Sequence, residues 1–376
     1  MKGFVRIVRK SGLFRKICVV ILVYFLYCCG VFTHLIEKRF NGEFPLGEES
    51  YNEIRSSCLR GIKPDIEPFN TYKYYFKYFA SLKCLSESKI KLAIIVKSAI
   101  GNFDRRQGIR RSWGFGNRYS DVEMRTVFIL GMGDDKELQK RVDKENSEYN
   151  DIVQAAFRDD YYNNTIKTLM AYKWAVKYCS DAKFYVFSDD DMYVSIKNVL
   201  RFVKNPLDYP DYLEVPVVSL KDSHHYEIRR ELRYNKNVPQ MLDFELNDKA
   251  ELYAGYVFQS SRPHRHFWSK WYISLEEYPY DRWPPYVTGG AYILSNVVLH
   301  EFYYASQVTQ HFRFDDIYIS ILAYKLNITP IHNDEFYFHK KHFSGNNYKY
   351  VIASHGFDNP HELKDFWHHQ KTIGNA

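Results

Sequence analysis

No segment of this chain repeats and no low-complexity tract interrupts it, which excludes repeat architectures and an extended disordered protein. Net charge is also missing from most of its length. The 376 residues carry a formal +7, but Lys2, Arg6, Arg9, Lys10, Arg15 and Lys16 fall in the first sixteen positions without one acid, and the remaining 46 Lys and Arg face 45 Asp and Glu. A nearly neutral body excludes nucleic acid as the expected partner. Cysteine is scarce: Cys18, Cys28 and Cys29 belong to an apolar run, leaving Cys58, Cys84 and Cys179. Three thiols cannot all pair within one chain. One disulfide with undetermined partners, plus one free or intermolecular thiol, is the simplest reading, and it leaves a homodimer open. No small-residue cleavage site follows the apolar run, which argues against a removable signal peptide.

The run itself, Ile17 to Phe32, is about long enough to cross a bilayer, and the positive charge precedes it. The expected layout is a cytoplasmic tail (1–16), an uncleaved transmembrane signal-anchor (17–34), a luminal stem (35–88) and a globular domain (89–376). That is a single-pass type II membrane protein. The stem carries Pro64, Pro68 and an aromatic segment, Tyr72 to Phe79, expected to pack on the domain. The triplets Asn163-Asn164-Thr165 and Asn327-Ile328-Thr329 are N-glycosylation candidates at Asn163 and Asn327.

From Leu92 onward strand and helix signals alternate. Leu92–Val96, Thr126–Leu130 and Asp151–Val153 read as strands; Arg105–Trp113, Glu137–Val142 and Asn164–Tyr178 read as helices. The alternation predicts a largely parallel α/β sheet with helices on both faces, whose ligands collect at the carboxyl ends of the strands. One such end is the centre of the sequence: the apolar strand Phe184 to Phe187 runs through Ser188 into Asp189-Asp190-Asp191. Alternate positions of an extended segment point the same way, so Asp189 and Asp191 could share a hard cation such as Mn²⁺ or Mg²⁺, with Asp190 facing elsewhere. An acidic turn after an edge strand has the same composition. Between about 217 and 247 the chain becomes polar and reads as an insertion, and adjacent His224 and His225 there read as exposed rather than metal-binding.

Three further segments carry candidate chemistry, each with a plain structural alternative: a solvated basic face, a Pro-rich bend before a core strand, and a helix cap. Arg105 to Trp113 follows the first strand with four arginines, suited to phosphate or to a solvated helix face. Trp283 to Ser295 joins aromatic side chains to the pair Gly289-Gly290, where the backbone can be approached closely. Asp315 and Asp316 open a helix: capping accounts for one acid, leaving the other free to act as a general base. His355 ends a strand-like run.

In this order the motifs resemble the β-1,3-glycosyltransferase family of galactosyl- and N-acetylglucosaminyltransferases, with the nearest likeness to its brainiac-type glycolipid branch. The resemblance runs from about Lys91 to Trp367. It rests on Arg106-x-x-Ile109-Arg110-x-Ser112-Trp113, Phe157-x-Asp159-x-Tyr161-x-Asn163-x-Thr165-x-Lys167-Thr168, the Asp triplet, Tyr286-x-x-Gly289-Gly290-x-Tyr292, the Asp315-Asp316 pair and His355. Ser112 stands where the family more often has Thr, and the polar insertion is longer than its pattern.

The resemblance implies a GT-A, Rossmann-like fold and an inverting transfer from a UDP-sugar. Asp191 and His355, with Asp189 beside them, would bind Mn²⁺ (or Mg²⁺) with the donor diphosphate. Asp189 or Asp190 would contact the nucleotide sugar, and Arg106 and Arg110 would lie near the nucleotide. Trp283, Tyr286, Gly289 and Gly290 would contact sugar or acceptor. Asp316 would be the base, with Asp315 its substitute. The expected enzyme is a Golgi β-1,3-N-acetylglucosaminyltransferase with its catalytic domain in the lumen, extending a mannosyl-glucosylceramide acceptor. Transfer of galactose or N-acetylgalactosamine to a glycolipid or glycoprotein is the alternative. A sugar-binding membrane protein without turnover is the reading from another class, and it has no use for the base.

Overall fold

The computed structural model describes residues 2–45, 49–85, 89–116, 122–214 and 246–376. The expected insertion lies outside the described residues up to position 245. The chain divides into two units, Met1–Leu46 with Gln259–Pro285, and Gly47–Phe258 with Tyr286–Ala376.

The first unit holds helix α1 (Lys2–Cys28) and two single-turn segments, α2 (Val31–His34) and α3 (Phe40–Glu43). The expected span of 17–34 is not one helix. Gly30 takes a left-handed φ of 77° against Arg265, and a Cβ there would lie 2.6 Å from the Arg265 carbonyl oxygen, so the chain turns after Cys28. Ile17 to Cys28 covers roughly 18 Å at 1.5 Å per residue, against roughly 30 Å of hydrocarbon. Among the described residues no helix is long and apolar enough to cross a membrane.

The second unit contains an eight-stranded mixed sheet ordered β1-β4-β3-β2-β5-β8-β7-β9 and a three-stranded sheet ordered β10-β11-β6. The strands are β1 (Phe76–Phe79), β2 (Leu92–Lys97), β3 (Met124–Met132), β4 (Ile152–Arg158), β5 (Phe184–Asp189), β6 (Met192–Val194), β7 (Tyr253–Phe258), β8 (Tyr286–Ser295), β9 (Ile331–His332), β10 (Phe336–Tyr337) and β11 (Ala353–His355). The helices are α4 (Glu49–Leu59), α5 (Phe103–Arg110), α6 (Lys136–Tyr149), α7 (Asn164–Tyr178), α8 (Ile196–Phe202), α9 (Asn296–Gln307), α10 (Asp315–Lys325) and α11 (Pro360–Thr372).

Strands β4, β3, β2 and β5 are mutually parallel, while β8 runs antiparallel to β5. The two faces follow from the period of two along each strand. Leu92, Ile94, Val96, Phe184 and Val186 join one core with Ile109 of α5, Val199 and Phe202 of α8, and Leu363 and Trp367 of α11. On the opposite face Phe187 meets Tyr172 of α7, and Tyr172 meets Phe302 of α9. Ser195 caps α8 as the sequence suggests, its hydroxyl accepting from the Asn198 amide at 3.3 Å.

The stretch expected as a stem is partly built into this unit. β1 adds antiparallel to β4, and α4 buries Tyr51 and Ile54, with Arg55 paired to Glu251 at 2.7 Å. The disulfide joins Cys84 to Cys179 at the end of α7, leaving Cys58 free.

Candidate active site

Sequential strands β2, β3 and β4 step one way from β2, whereas β5 returns to its other side. The crevice between the carboxyl ends of β2 and β5 is therefore the topological switch point, where open α/β sheets bind their ligands. The final residues of these strands, Lys97 and Asp189, are register partners.

Lys97 ends an otherwise apolar strand and is almost fully buried, which a lysine tolerates only when paired. Its ammonium donates to Asp315 Oδ2 at 2.8 Å and the Gly289 carbonyl at 3.2 Å, and pairs with Asp189 Oδ1 at 3.0 Å. Burial works against its charge, but Asp189 and Asp315 more than offset it and raise its pKa. Thr168, one helical face of α7, donates to the same Asp315 oxygen at 3.1 Å. Asp315 is thus held below the ordinary carboxylate range: burial opposes its charge, and Lys97 and Thr168 outweigh burial.

Its neighbour Asp316 has no such cation to itself. Its Oδ1 accepts the Ile317 amide at 2.8 Å, and burial together with the charge on Asp315 pushes its carboxyl up to about 7. Two adjacent acids at the start of one helix are therefore pushed in opposite directions by their surroundings, Asp315 downward by Lys97 and Asp316 upward by burial and Asp315.

The three aspartates after β5 diverge. Asp189 turns to Lys97, and burial plus the charges of Asp191 and Asp315 push it up to about 6 in spite of the lysine. Asp190 is buried and accepts from Ser98 Oγ at 2.6 Å, Asn102 Nδ2 at 2.9 Å and Arg105 Nη1 at 2.9 Å. Asp191 meets His355 Nε2 at 3.4 Å because β6 and β11 pair antiparallel, with Met192 opposite His355. Hydrogen bonding to Asp191 raises the His355 pKa, while Asp191 is held low by His355 and Arg105 despite burial. Gly289 and Gly290 lie between the two groups: a Cβ at Gly289 would be 3.6 Å from Asp315 Oδ1, and one at Gly290 3.3 Å from Met192 Sδ and 3.9 Å from His355 Cδ2.

Among the described residues no group of three or more His, Cys, Asp or Glu side chains is placed to hold a metal ion. Asp191 and His355 still offer an oxygen and an imidazole nitrogen side by side, and Asp191 Oδ1 is buried without a hydrogen-bond partner. Such a donor pair fits Mn²⁺ if a bound diphosphate and water complete the shell. Asp189, expected as a third ligand, pairs through Oδ1 with Lys97 at 3.0 Å.

Arg106 and Arg110, expected near a nucleotide, face inward. Arg106 is fully buried and donates to Glu145 at 2.7 Å, Ser98 Oγ at 3.0 Å and the Ala99 carbonyl at 2.7 Å. Arg110 pairs with Asp151 and Glu145. The arginine that reaches the aspartates is Arg105, one step away on α5, which the sequence reading left without a role. Lys97 was missed as well, and its signal was a charge closing an apolar strand.

Trp283 belongs to the first unit and is buried with its ring 4.2 Å from Tyr278. Tyr286 joins a half-exposed aromatic group, with Phe258 5.3 Å from it and Phe338 5.2 Å from Phe258. Of the glycosylation candidates, Asn327 is exposed at the end of α10 with φ 57°, whereas Asn163 donates its amide to the Arg158 carbonyl and Thr165 of its triplet is buried.

A mixed α/β sheet with an acid-rich cluster at its switch point sets that cluster in the place where such folds bind their ligands. The galactosyltransferase family model matches residues 104–225 and 232–334, and the chain belongs to that family and is a hexosyltransferase. It is 38% identical over 370 residues to a β-1,3-galactosyltransferase, brn, of Drosophila melanogaster, covering 98% of each chain. It is 30% identical to β-1,3-galactosyltransferase 1 of Mus musculus over 80% of this chain and 79% of that one. The human lactosylceramide 1,3-N-acetyl-β-D-glucosaminyltransferase is also 30% identical, over 76% of this chain and 67% of that one. The expected place among β-1,3-glycosyltransferases of the brainiac type therefore holds. A bifunctional glycosyltransferase, WbbM, aligns with 65% of this chain and 39% of its own at a TM-score of 0.29 and 12% identity, too distant to support any argument.

Proposed function

We propose that this protein is an inverting β-1,3-N-acetylglucosaminyltransferase of GT-A type. It moves GlcNAc from UDP-GlcNAc to the 3-hydroxyl of a glycosphingolipid of the mannosyl-glucosylceramide type, at the luminal face of the Golgi membrane. The observation that carries the reading is the unequal acid pair: Asp315 is engaged by Lys97 at 2.8 Å and Thr168 at 3.1 Å, whereas the adjacent Asp316 accepts from the Ile317 amide and is pushed upward. A sugar-binding protein without turnover has no need of that inequality.

In the reaction Asp316 accepts the proton of the acceptor hydroxyl. The freed oxygen attacks the anomeric carbon from the side opposite UDP, the bond from that carbon to the β-phosphate oxygen breaks, and UDP departs with the electron pair. Inversion follows from the single displacement. Proton transfer contributes about 10²–10⁴-fold, and positioning supplies more. Asp191 and His355 would hold Mn²⁺, which when bound supplies Lewis-acid stabilisation of charge on the leaving diphosphate. Arg105 and Lys97 keep the surrounding carboxylates from repelling that diphosphate. Tyr286, Phe258 and Phe338 offer flat apolar faces to acceptor sugar rings.

Membrane attachment through α1 is part of the proposal. A span would draw on Leu13 and Phe14 ahead of Ile17, with Arg15 and Lys16 reaching back to the cytoplasmic headgroups. Galactose is the second donor reading, supported by the names of the Drosophila and mouse relatives.

A panel of UDP-sugars offered with Mn²⁺ to glycolipid acceptors, followed by linkage analysis, separates these readings. GlcNAc in β-1,3 linkage is the expected product. Galactose transfer would replace the donor assignment, and glycan binding without any transfer would defeat the enzyme reading.

A further inference from the structure

Within the first unit, the loop from His264 to Tyr272 presents Phe267, Trp268 and Trp271 to solvent, at 49%, 66% and 46% exposure. Three large aromatic side chains exposed within five residues form a patch that a free surface rarely carries. Their position relative to α1 is specific. The Trp268 ring lies 6.1 Å from Phe25, the Phe267 ring 5.9 Å from Tyr27, and the Phe267 amide donates to the Cys28 carbonyl at 3.3 Å. The patch therefore sits beside the last turn of the apolar helix, at the end away from the basic segment.

The loop is held rigidly there. Arg265 is buried beneath it and donates to the carbonyls of Ile273, Ser274, Tyr278 and Tyr280 and to Glu37 Oε1 at 2.7 Å. Gly30 is pressed against the Arg265 backbone so closely that no side chain would fit. Pointing three aromatic rings outward is thus a fixed property of the unit.

We infer that this loop is a second membrane contact: Phe267, Trp268 and Trp271 lie in the interfacial layer of the bilayer on the luminal side, alongside the end of α1. The inference rests on the proposed α1 anchor. If Phe25 and Tyr27 mark the luminal end of a span, rings packed against them stand within one helical turn, roughly 5 Å, of the hydrocarbon boundary. Tryptophan is enriched at that depth, where its ring is partly apolar and its N–H stays wet. Exposed Arg262 and Lys270 on the same loop, with Lys270 Nζ 4.6 Å from the Trp271 ring, match lipid phosphates. An acceptor carried by a lipid would then be met by a protein held against the surface in which that lipid floats.

The test uses the full chain reconstituted into phosphatidylcholine vesicles with or without lipid brominated near the headgroup end of its acyl chains. Brominated lipid is expected to quench part of the tryptophan emission, and Trp268→Phe with Trp271→Phe is expected to remove most of the quenched part while leaving the surface apolar. Alkaline carbonate extraction of the same vesicles reports the anchor separately. A chain retained in the membrane whose quenching is unchanged by the two substitutions overturns the loop contact alone. A chain released by carbonate overturns the anchor and the loop contact with it.

Discussion

Two charge networks flank the first βα crossover of the second unit, and they are built to different ends. In one, Arg106 and Arg110 face Glu145 and Asp151, two cations against two carboxylates, each guanidinium forked onto its partners and laid over an aromatic ring: Phe103 beneath Arg106, Phe128 beneath Arg110. In the other, Asp189, Asp190, Asp191, Asp315 and Asp316 share Lys97, Arg105 and His355. The closed network leaves no charge for a ligand. The open one has an excess of carboxylate, a buried oxygen of Asp191 without a partner among the described residues, and Asp316, the proposed base, pushed up to about 7. Chemistry is found where the charges do not balance without a ligand, and a satisfied arginine pair nearby holds the loop that carries the unbalanced set.

Substitutions should divide along the same line. Asp316→Asn is expected to lower transfer by about 10²–10⁴-fold with UDP binding retained, measured by turnover and calorimetry side by side. Full activity in that variant would take the base away from Asp316. Asp191→Ala should abolish the Mn²⁺-dependent part of UDP binding, and titration of UDP with and without Mn²⁺ reads it directly; unchanged metal dependence would return Asp191 to an ordinary turn.

Arg106→Met tests the closed network. It leaves Arg110 as the one remaining cation on buried Glu145 and should cost up to about 3 kcal/mol of stability in a denaturant titration, while the remaining folded protein turns over normally. A loss of turnover larger than the loss of folded protein would place Arg106 in the site after all. The smallest effect is in pH. Asp316 acts only when ionised, so kcat/KM should rise about tenfold per pH unit up to about 7 and then level off. A limb near the ordinary carboxylate value, roughly 4, would mean that burial and Asp315 do not tune it.

Much of this was legible in the chain. Local periodicity located α7 to the residue and found most of β2 and β5, each an apolar run, but only the central part of the nine-residue β3. Lys97 joins Asp189 to Asp315, and Asp191 meets His355 just beyond the same strand; the grouping of these residues was expected from the family resemblance of the ordered motifs, not from periodicity. What was not legible depends on partners far apart in the chain. Arg105 and Arg106 are neighbours, yet 100° of helical rotation sends one to the aspartates and the other into the interior, and no local pattern says which. Lys97 acquires its meaning only from strand pairing with Asp189, 92 positions later, and from a helix that begins at Asp315. The segment from Tyr72 to Phe79 does pack on the domain, but its strand was not legible, because β1 is short and joins the sheet edge through pairing with β4 rather than through hydrophobicity of its own.

The pairing of Lys97 with Asp189 has one more consequence. They meet because the hydrogen-bond ladder between β2 and β5 sets them opposite each other. A slip of one residue in that ladder would carry Lys97 to the other face of the sheet, and leave Asp189 and Asp315 without their common cation. Misfolding in this region therefore yields no impaired but still working version of the enzyme. The same register that closes the sheet assembles the site, so the chain is either correctly threaded and competent or wrongly threaded and inert.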